Sequence, residues 1–166
     1  MKTQIEDAIQ GWDGKSIEVI EGVYTRFAKE KNFTGILIDL LDHSVLQNGV
    51  TWLIKKYLED GKALSDEQTS AYYRAAMRLS HWESKLHLLQ SMEKLPIGQS
   101  EHEEVADFLR LCLMESNKFV RAWAYSGFVV LAKQHAEYDA EAKQMIELAM
   151  LEEAPSIKAR LKKVVG

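Results

Sequence analysis

Glycine and proline are scarce in this chain. Nine glycines and two prolines occur in 166 residues, roughly half of the share that average proteins give to them. Sheet sandwiches and barrels need a turn, commonly built with these residues, about every 8–12 residues. Helices joined by short polar loops need few of either. The scarcity therefore argues against an all-β fold and predicts an all-α chain.

Cysteine and long apolar runs are also nearly missing. Cys112 is the only cysteine, so one chain can form neither a disulfide nor a cysteine-based zinc cluster. No stretch approaches the ~18 apolar residues of a membrane-spanning helix, and the first seven residues lack the apolar run of a signal peptide. We therefore expect a reduced, cytoplasmic location and no membrane partner.

The chain has no basic excess. Its 21 Lys and Arg residues against 25 Asp and Glu residues give a net charge of −4. Nucleic-acid binders usually carry a positive balance, because contacts to phosphates supply most of their non-specific affinity. A nucleic-acid partner is thus disfavoured and would need a local basic patch. With 46% hydrophobic and 28% charged residues, the chain is typical of one globular domain, here spanning 1–166.

Apolar residues recur at helical spacing along nearly the whole sequence. Capping-box patterns, in which Glu or Gln follows Ser or Thr by three residues, begin at Thr3, Ser65, Ser80 and Ser100. Ser16 is a suitable N-cap, and Asn48-Gly49 is expected to end a helix. These signals predict ten helices, over about residues 3–11, 17–31, 33–48, 50–60, 66–79, 81–95, 101–115, 118–134, 140–152 and 155–164. Gly22, Gly35 and Gly127 fall inside them, which indicates close helix contacts or misplaced boundaries.

Ten helices form about five antiparallel pairs of about 33 residues, a period typical of α-solenoids. Internal similarity supports the period in the last two pairs, since 114–122 aligns with 151–159 at an offset of 37 residues. The segment Ser84-Lys85-Leu86 can be aligned with Val120-Arg121-Ala122 at an offset of 36, although a polar Ser occupies the apolar position. The first two pairs match only in the rhythm of their helices.

The segment from Glu115 to Ala124 resembles the inter-helix segment of a HEAT repeat. In that family an acidic residue closes the first helix, a short polar break follows, and Val-Arg-x-x-Ala opens the second helix. The segment 152–160 is similar, with Lys158 in the Arg position and Glu152 in the acidic position. The resemblance covers about residues 100–165, where Glu replaces the usual Asp. It implies a HEAT-like or armadillo-like right-handed superhelix of paired helices, usually a non-enzymatic surface that binds another macromolecule.

In such a stack the second helix of each pair lines a concave surface. Trp, Tyr and Arg are enriched at binding hot spots, and we expect the partner-binding residues to be Trp82, Lys85, Lys118, Arg121, Trp123 and Tyr125. A second interpretation places Trp52, Trp82 and Trp123 in the core between repeats. In the same interpretation, Arg121 bonds an acid or a carbonyl of the neighbouring repeat.

No catalytic or metal-binding motif is apparent. The five histidines are scattered, and His102-Glu103-Glu104 has Ala106 where a zinc-binding motif needs its second His. Glu83 and His87 share a helix face and are best explained as a surface hydrogen bond. The chain also lacks phosphate-binding and nucleophile-elbow motifs. We therefore expect no catalytic residues, no metal, no cofactor and no enzymatic activity.

The main hypothesis is a protein-binding scaffold, and one alternative is a DNA-binding protein. Bacterial glycosylases that remove alkylated purines are built from HEAT-like repeats and use Trp, Arg and a catalytic Asp. This chain has Trp82, Trp123 and Arg121, but no carboxylate lies one turn after either Trp. A cationic stretch in the last predicted helix is either a solubilising cap or a patch for an anionic partner. It consists of Lys158, Arg160, Lys162 and Lys163.

Overall fold

A computed structural model describes residues 1–165, which contain ten α-helices, four short 3₁₀ turns and no strand. The all-α prediction is therefore confirmed over this range. The helices are α1 (Lys2–Gln10), α2 (Ile17–Phe27), α3 (Phe33–Leu40), α4 (Gln47–Glu59), α5 (Asp66–Ala75), α6 (Trp82–Ser91), α7 (His102–Leu113), α8 (Lys118–Gln134), α9 (Asp139–Glu152) and α10 (Pro155–Val165). None of these helices is long and apolar enough to cross a bilayer.

Local capping chemistry explains several of the helix starts. Ser65 forms the predicted capping box, since its side chain accepts from the backbone of Gln68 while the Gln68 side chain accepts from the backbone of Ser65. Ser16 accepts from the third residue of α2, as predicted. Asn117 lies at the expected break and accepts from two backbone N–H groups in the first turn of α8. These side chains satisfy donors that a helix start leaves unpaired.

Other predicted caps are wrong, and Ser80 shows the physical reason. Its backbone N–H and its hydroxyl both donate to the side-chain oxygen of Gln47, at 3.2 Å and 3.3 Å. The α6 helix starts one residue later than the predicted box requires and has no side-chain cap. The boxes expected at Thr3 and Ser100 also do not form.

The helix stop expected at Asn48-Gly49 is wrong as well. Helix α3 already ends at Leu40, and Gly49 lies inside α4, where it is buried. A Cβ atom at Gly49 would lie 2.5 Å from Ile9 Cγ2, so the glycine permits close packing of α1 on α4. A packing requirement, and not a turn, accounts for this glycine.

The helices pack in a regular order along the chain. Helix α4 packs on α6, α6 on α8, and α8 on α10, while α3 packs on α5 and α5 on α7. Side-chain hydrogen bonds between distant residues mostly span 28 to 38 residues of sequence, as in Tyr125–Glu153 and Ile97–His135. The exception is the bond from Tyr73 to the carbonyl of Leu95, which spans 22 residues. The distant side-chain hydrogen bonds thus mainly join elements about one helix pair apart, while consecutive helices such as α7 and α8 also pack on each other.

The buried side chains form two clusters. The larger one extends from Ile5 in α1 to Ala142 in α9, and Trp52 and Trp123 pack partly buried against it. The smaller one joins α8, α9 and α10 and consists of Ala122, Ala149, Ile157 and Leu161. The last helix is therefore held by a small apolar cluster of its own.

Candidate functional site

The six residues predicted to bind a partner lie near the starts of two helices. Trp82 and Lys85 belong to the first turn of α6, and Lys118 and Arg121 belong to the first turn of α8. Trp123 and Tyr125, which are half-buried, follow in the next turn of α8. The structure therefore places four of the six residues in the first turns of α6 and α8, directly after the loops that precede these helices.

Arg121 is engaged within the chain. Its guanidinium donates to both carboxylate oxygens of Glu153, at 2.9 Å and 3.2 Å. It also donates to the backbone carbonyls of Glu115 and Ser116, at 3.0 Å and 2.8 Å. The bond with Glu153 raises the pKa of Arg121, as expected for a bidentate charge-assisted pair. These contacts agree with the second interpretation of Arg121, in which it joins neighbouring helix pairs.

Lys85 occupies the equivalent position one period earlier. Its ammonium group lies 2.5 Å from a carboxylate oxygen of Glu115, in the loop before α8. Glu153 lies in the loop before α10, so the two ion pairs repeat with nearly the same offset as the aligned sequence segments. Glu115 aligns with Glu152 in the sequence, but its counterpart in the ion pairs is Glu153, one residue later.

Trp123 is covered by a residue of the last helix. The guanidinium carbon of Arg160 lies 3.4 Å from the centroid of the Trp123 ring, a cation–π contact. Arg160 also donates to the hydroxyl of Ser126 at 3.1 Å, and burial lowers its pKa. Arg160 thus points inward, and only Lys158, Lys162 and Lys163 of the predicted cationic stretch are left for an anionic partner.

Four turns lie side by side along one edge of the molecule. We call this surface the turn edge; it comprises residues 41–46, 76–82, 114–119 and 151–155, which contain the connections α3–α4, α5–α6, α7–α8 and α9–α10. Polar contacts link consecutive turns. Some of the bonded residues lie in the turns themselves, and the others lie in the first turn of the helix that follows. These contacts are Asp42–Arg78, Gln47–Ser80, Glu115–Lys85 and Glu153–Arg121.

Large apolar side chains are exposed in every turn of this edge. They are Val45 (79% exposed), Met77 (48%), Trp82 (44%), Met114 (83%), Phe119 (56%) and Leu151 (79%). The described residues include twelve exposed large hydrophobic side chains, so half of them belong to the turn edge. Large exposed apolar side chains gathered in neighbouring turns are a feature of interaction sites. The turn edge is therefore the candidate functional site.

Sequence reasoning found Trp82 but missed the other apolar residues of this edge. Met114 and Leu151 were equivalent positions in the internal alignment, 37 residues apart, and this repetition was a usable signal. Their exposure was not predictable, because the same apolar residue types continue the buried stripes of α7 and α9.

Two expectations about histidines need correction. His87 does not bond Glu83; its Nδ1 lies 2.9 Å from the hydroxyl oxygen of Thr51 in α4. His102 and His135 are not scattered, since their rings stack with centroids 4.8 Å apart. The two residues are 33 positions apart, about one helix pair, so the repeat period itself could have indicated their contact.

Comparisons with protein-family models, with curated proteins and with solved structures gave no match for this chain. A function for the turn edge therefore has to be argued from its own residues. The features available for that purpose are its exposed apolar side chains and its paired charges.

Proposed function

We propose that this chain is a non-enzymatic, HEAT-like repeat scaffold that binds another protein through its turn edge. The observation that carries the proposal is the row of exposed apolar side chains, present in each of the four turns. Trp82 and Phe119 supply the aromatic anchors that protein interfaces favour. A cytoplasmic location is part of the proposal, and it is supported by the single, buried Cys112.

The proposed architecture is a right-handed superhelix of five helix pairs. Two observations support it: second helices pack in the order α4, α6, α8 and α10, and distant side-chain bonds recur at about one pair length. The equivalent ion pairs Lys85–Glu115 and Arg121–Glu153 repeat the same spacing. Such stacking is how helix pairs too small to fold alone bury their apolar stripes.

The turn edge is a better candidate surface than the concave surface expected at first. Of the residues expected on the concave surface, Arg121 is bonded to Glu153 and Trp123 is covered by Arg160. A partner that used these groups would have to break contacts already made within the chain. Phe119 and Trp82, in contrast, expose 56% and 44% of their surface.

The charges along this edge favour a protein partner over a nucleic acid. Lys85 and Arg121 each have a carboxylate partner, as does Arg78, which lies 2.8 Å from Asp42. Paired cations leave little positive charge to attract phosphates. The glycosylase alternative gains no support either, because Arg160 occupies one face of the Trp123 ring. We expect no release of free base from methylated duplex DNA.

The proposal is tested by comparing two double variants. Trp82→Ser with Phe119→Ser removes the aromatic anchors, and Ile17→Ser with Val19→Ser removes two exposed apolar residues of α2, 62% and 47% exposed, away from the turn edge. The tagged chains are incubated with nuclease-treated cell extract, and retained proteins are quantified by mass spectrometry. We expect a partner retained equally by the wild type and the α2 variant, and at least about tenfold less by the edge variant.

Folding is checked in parallel by measuring the free energy of unfolding. The substituted side chains are between 44% and 62% exposed and cover apolar surface with the remainder, so we expect each substitution to lower it by about 1–2 kcal/mol, Trp82→Ser the most, and both variants to remain folded. Equal retention of every protein by the folded edge variant would contradict binding through the turn edge.

A further inference from the structure

Two histidines and a glutamate lie close together where α7 starts and α8 ends. His102 is the first residue of α7, His135 follows the last residue of α8, and Glu137 lies in the next 3₁₀ turn. One potential ligand atom from each residue lies within 4.8 Å of the other two. His102 is buried, His135 is half-buried and Glu137 is exposed. The cluster thus joins two separate segments, the start of α7 and residues 135–137, and is open to solvent on the Glu137 side.

The surrounding hydrogen bonds leave nitrogen lone pairs available in this cluster. His135 Nε2 lies 2.9 Å from the carbonyl oxygen of Ile97, and because a carbonyl only accepts, the proton is on Nε2. The neutral ring then carries its lone pair on Nδ1. His102 Nδ1 lies 2.8 Å from the hydroxyl of Tyr138 and 3.7 Å from a carboxylate oxygen of Glu137. When Nδ1 donates to Tyr138, the lone pair of the neutral ring is on Nε2. A protein hydrogen bond on one ring nitrogen is the usual support for metal binding through the other.

We propose that His102, His135 and Glu137 bind a zinc ion. Two imidazole nitrogens and one carboxylate are a donor set typical of Zn²⁺, which commonly takes three protein ligands and a water molecule. The bound ion would tie the start of α7 to the end of α8, next to the contact that Ile97 already makes with His135. No sequence motif marks this site, because His102 and His135 lie 33 residues apart and no zinc-binding motif begins at His102.

Zinc binding requires one of the two rings to rotate. The two imidazole planes are inclined by only 28°, and a nitrogen lone pair lies in the plane of its own ring. Both lone pairs can therefore reach one ion only if the rings tilt further apart. His135 has the freedom to do so because it is half-buried, and the exposed Glu137 carboxylate can move to complete the site.

The test uses the full chain, first stripped of metal with a chelator. Zn²⁺ is titrated by calorimetry, and Co²⁺ is added separately because its visible absorption reports coordination geometry. We expect one saturable Zn²⁺ site per chain, a four-coordinate Co²⁺ spectrum and a rise in the unfolding temperature with Zn²⁺. Glu137→Gln and His135→Gln should each weaken binding at least about tenfold. Glu104→Gln, an exposed change in the same turn of α7 as His102, is the matched control and should bind like the wild type.

Glu137 is exposed, so its substitution tests the site even if His135→Gln impairs folding. Absence of saturable Zn²⁺ binding would overturn the proposal. Binding that survives either Glu137→Gln or a folded His135→Gln unchanged would place the ion elsewhere and would overturn it equally. This result is independent of partner binding at the turn edge.

Discussion

His87 is a half-buried imidazole that the fold keeps neutral. Burial lowers its pKa from 6.5 to about 4, and nearby Lys55 acts in the same direction. The hydroxyl of Thr51 lies 2.8 Å from the carbonyl of Gln47, to which it donates. Because that hydroxyl has one proton, His87 Nδ1 must donate to Thr51. This contact fixes the tautomer of His87 and links α6 to α4.

The lowered pKa predicts that stability falls in mild acid. Between pH 6.5 and about pH 4 the unfolded chain binds a proton at His87 that the folded chain does not, so the free energy of unfolding decreases as the pH drops. The loss from this residue is roughly 2 kcal/mol over that range. Urea unfolding at several pH values should show a shallower pH dependence for His87→Gln. His81→Gln changes an exposed histidine at the start of α6 and should keep the wild-type slope; identical slopes for all three chains would refute the account.

Substituting alanine for either of two glycines inside helices is expected to change the free energy of unfolding in opposite directions. A Cβ at Gly127 would lie 2.7 Å from Leu109 Cδ2 and 2.9 Å from Met92 Sδ, whereas a Cβ at Gly22 has no neighbour within 4 Å. Leu109 and Met92 are buried and cannot move aside without disturbing the core. We expect Gly22→Ala to stabilise the chain by up to about 1 kcal/mol through helix propensity. Gly127→Ala should destabilise it by about 1–2 kcal/mol.

Thermal and urea unfolding of the two alanine variants measure this difference directly. A stabilising Gly127→Ala would show that α8 does not approach α7 as closely as the structure has it. Of the two explanations given for these glycines, the close helix contact holds for Gly127, whereas Gly22 lies inside α2 without a close neighbour and fits neither explanation.

At the scale of elements, ion pairs between consecutive turns differ in their surroundings. The side chains of Arg121 and Glu153 are only 22% and 14% exposed, whereas those of Arg78 and Asp42 are 57% and 70% exposed. Both pairs connect neighbouring turns of the same edge. Exposed pairs contribute little because water screens them, while a sheltered bidentate pair contributes more.

Double-mutant cycles should reveal this contrast. With Arg121→Gln and Glu153→Gln, we expect a coupling free energy of about 1–2 kcal/mol. With Arg78→Gln and Asp42→Asn, the matched exposed pair, we expect less than about 0.5 kcal/mol. Equal coupling energies would mean that the Arg121 pair does not hold α8 to the loop before α10.

Local chemistry in the sequence was sufficient to predict some helix ends and not others. The box at Ser65 formed because both of its partners are neighbours in sequence and exposed. Ser80 has the same pattern, but the side chain of Gln47, 33 residues away, binds it instead. Gly49 resembles a helix stop in sequence and is a contact point for Ile9 in the fold. Ser80 and Gly49 are controlled by contacts with residues that are distant in sequence, and a single sequence does not reveal such contacts.

The candidate site was predictable to a similar extent. Sequence patterns identified the starts of α6 and α8, through Trp82 and Arg121, and the alignment matched Lys85 with Arg121. They did not separate the exposed members of this set from those that form ion pairs, because Arg121 and Lys85 meet their carboxylate partners only through the packing of helices that are distant in sequence.

At the scale of the whole molecule, the turn edge combines apolar exposure with local charge neutrality. In the ion pairs that link consecutive turns, cations and carboxylates of the same edge neutralise each other. Side chains such as Met114 and Phe119 remain exposed. A partner suited to this surface has apolar side chains of its own and needs little net charge. Protein binding at this edge is the central claim.

The most direct test of that claim is site-specific photo-crosslinking in the cell. A photoreactive amino acid replaces Phe119 on the turn edge or Val19 on α2, positions with 56% and 47% exposure in the native chain. After illumination, adducts are resolved by size and identified by mass spectrometry. We predict a discrete adduct with another protein from position 119, absent from position 19 and lost when Trp82→Ser is added. Adducts from position 19 alone, or only between copies of this chain, would contradict the binding of a partner protein by the turn edge.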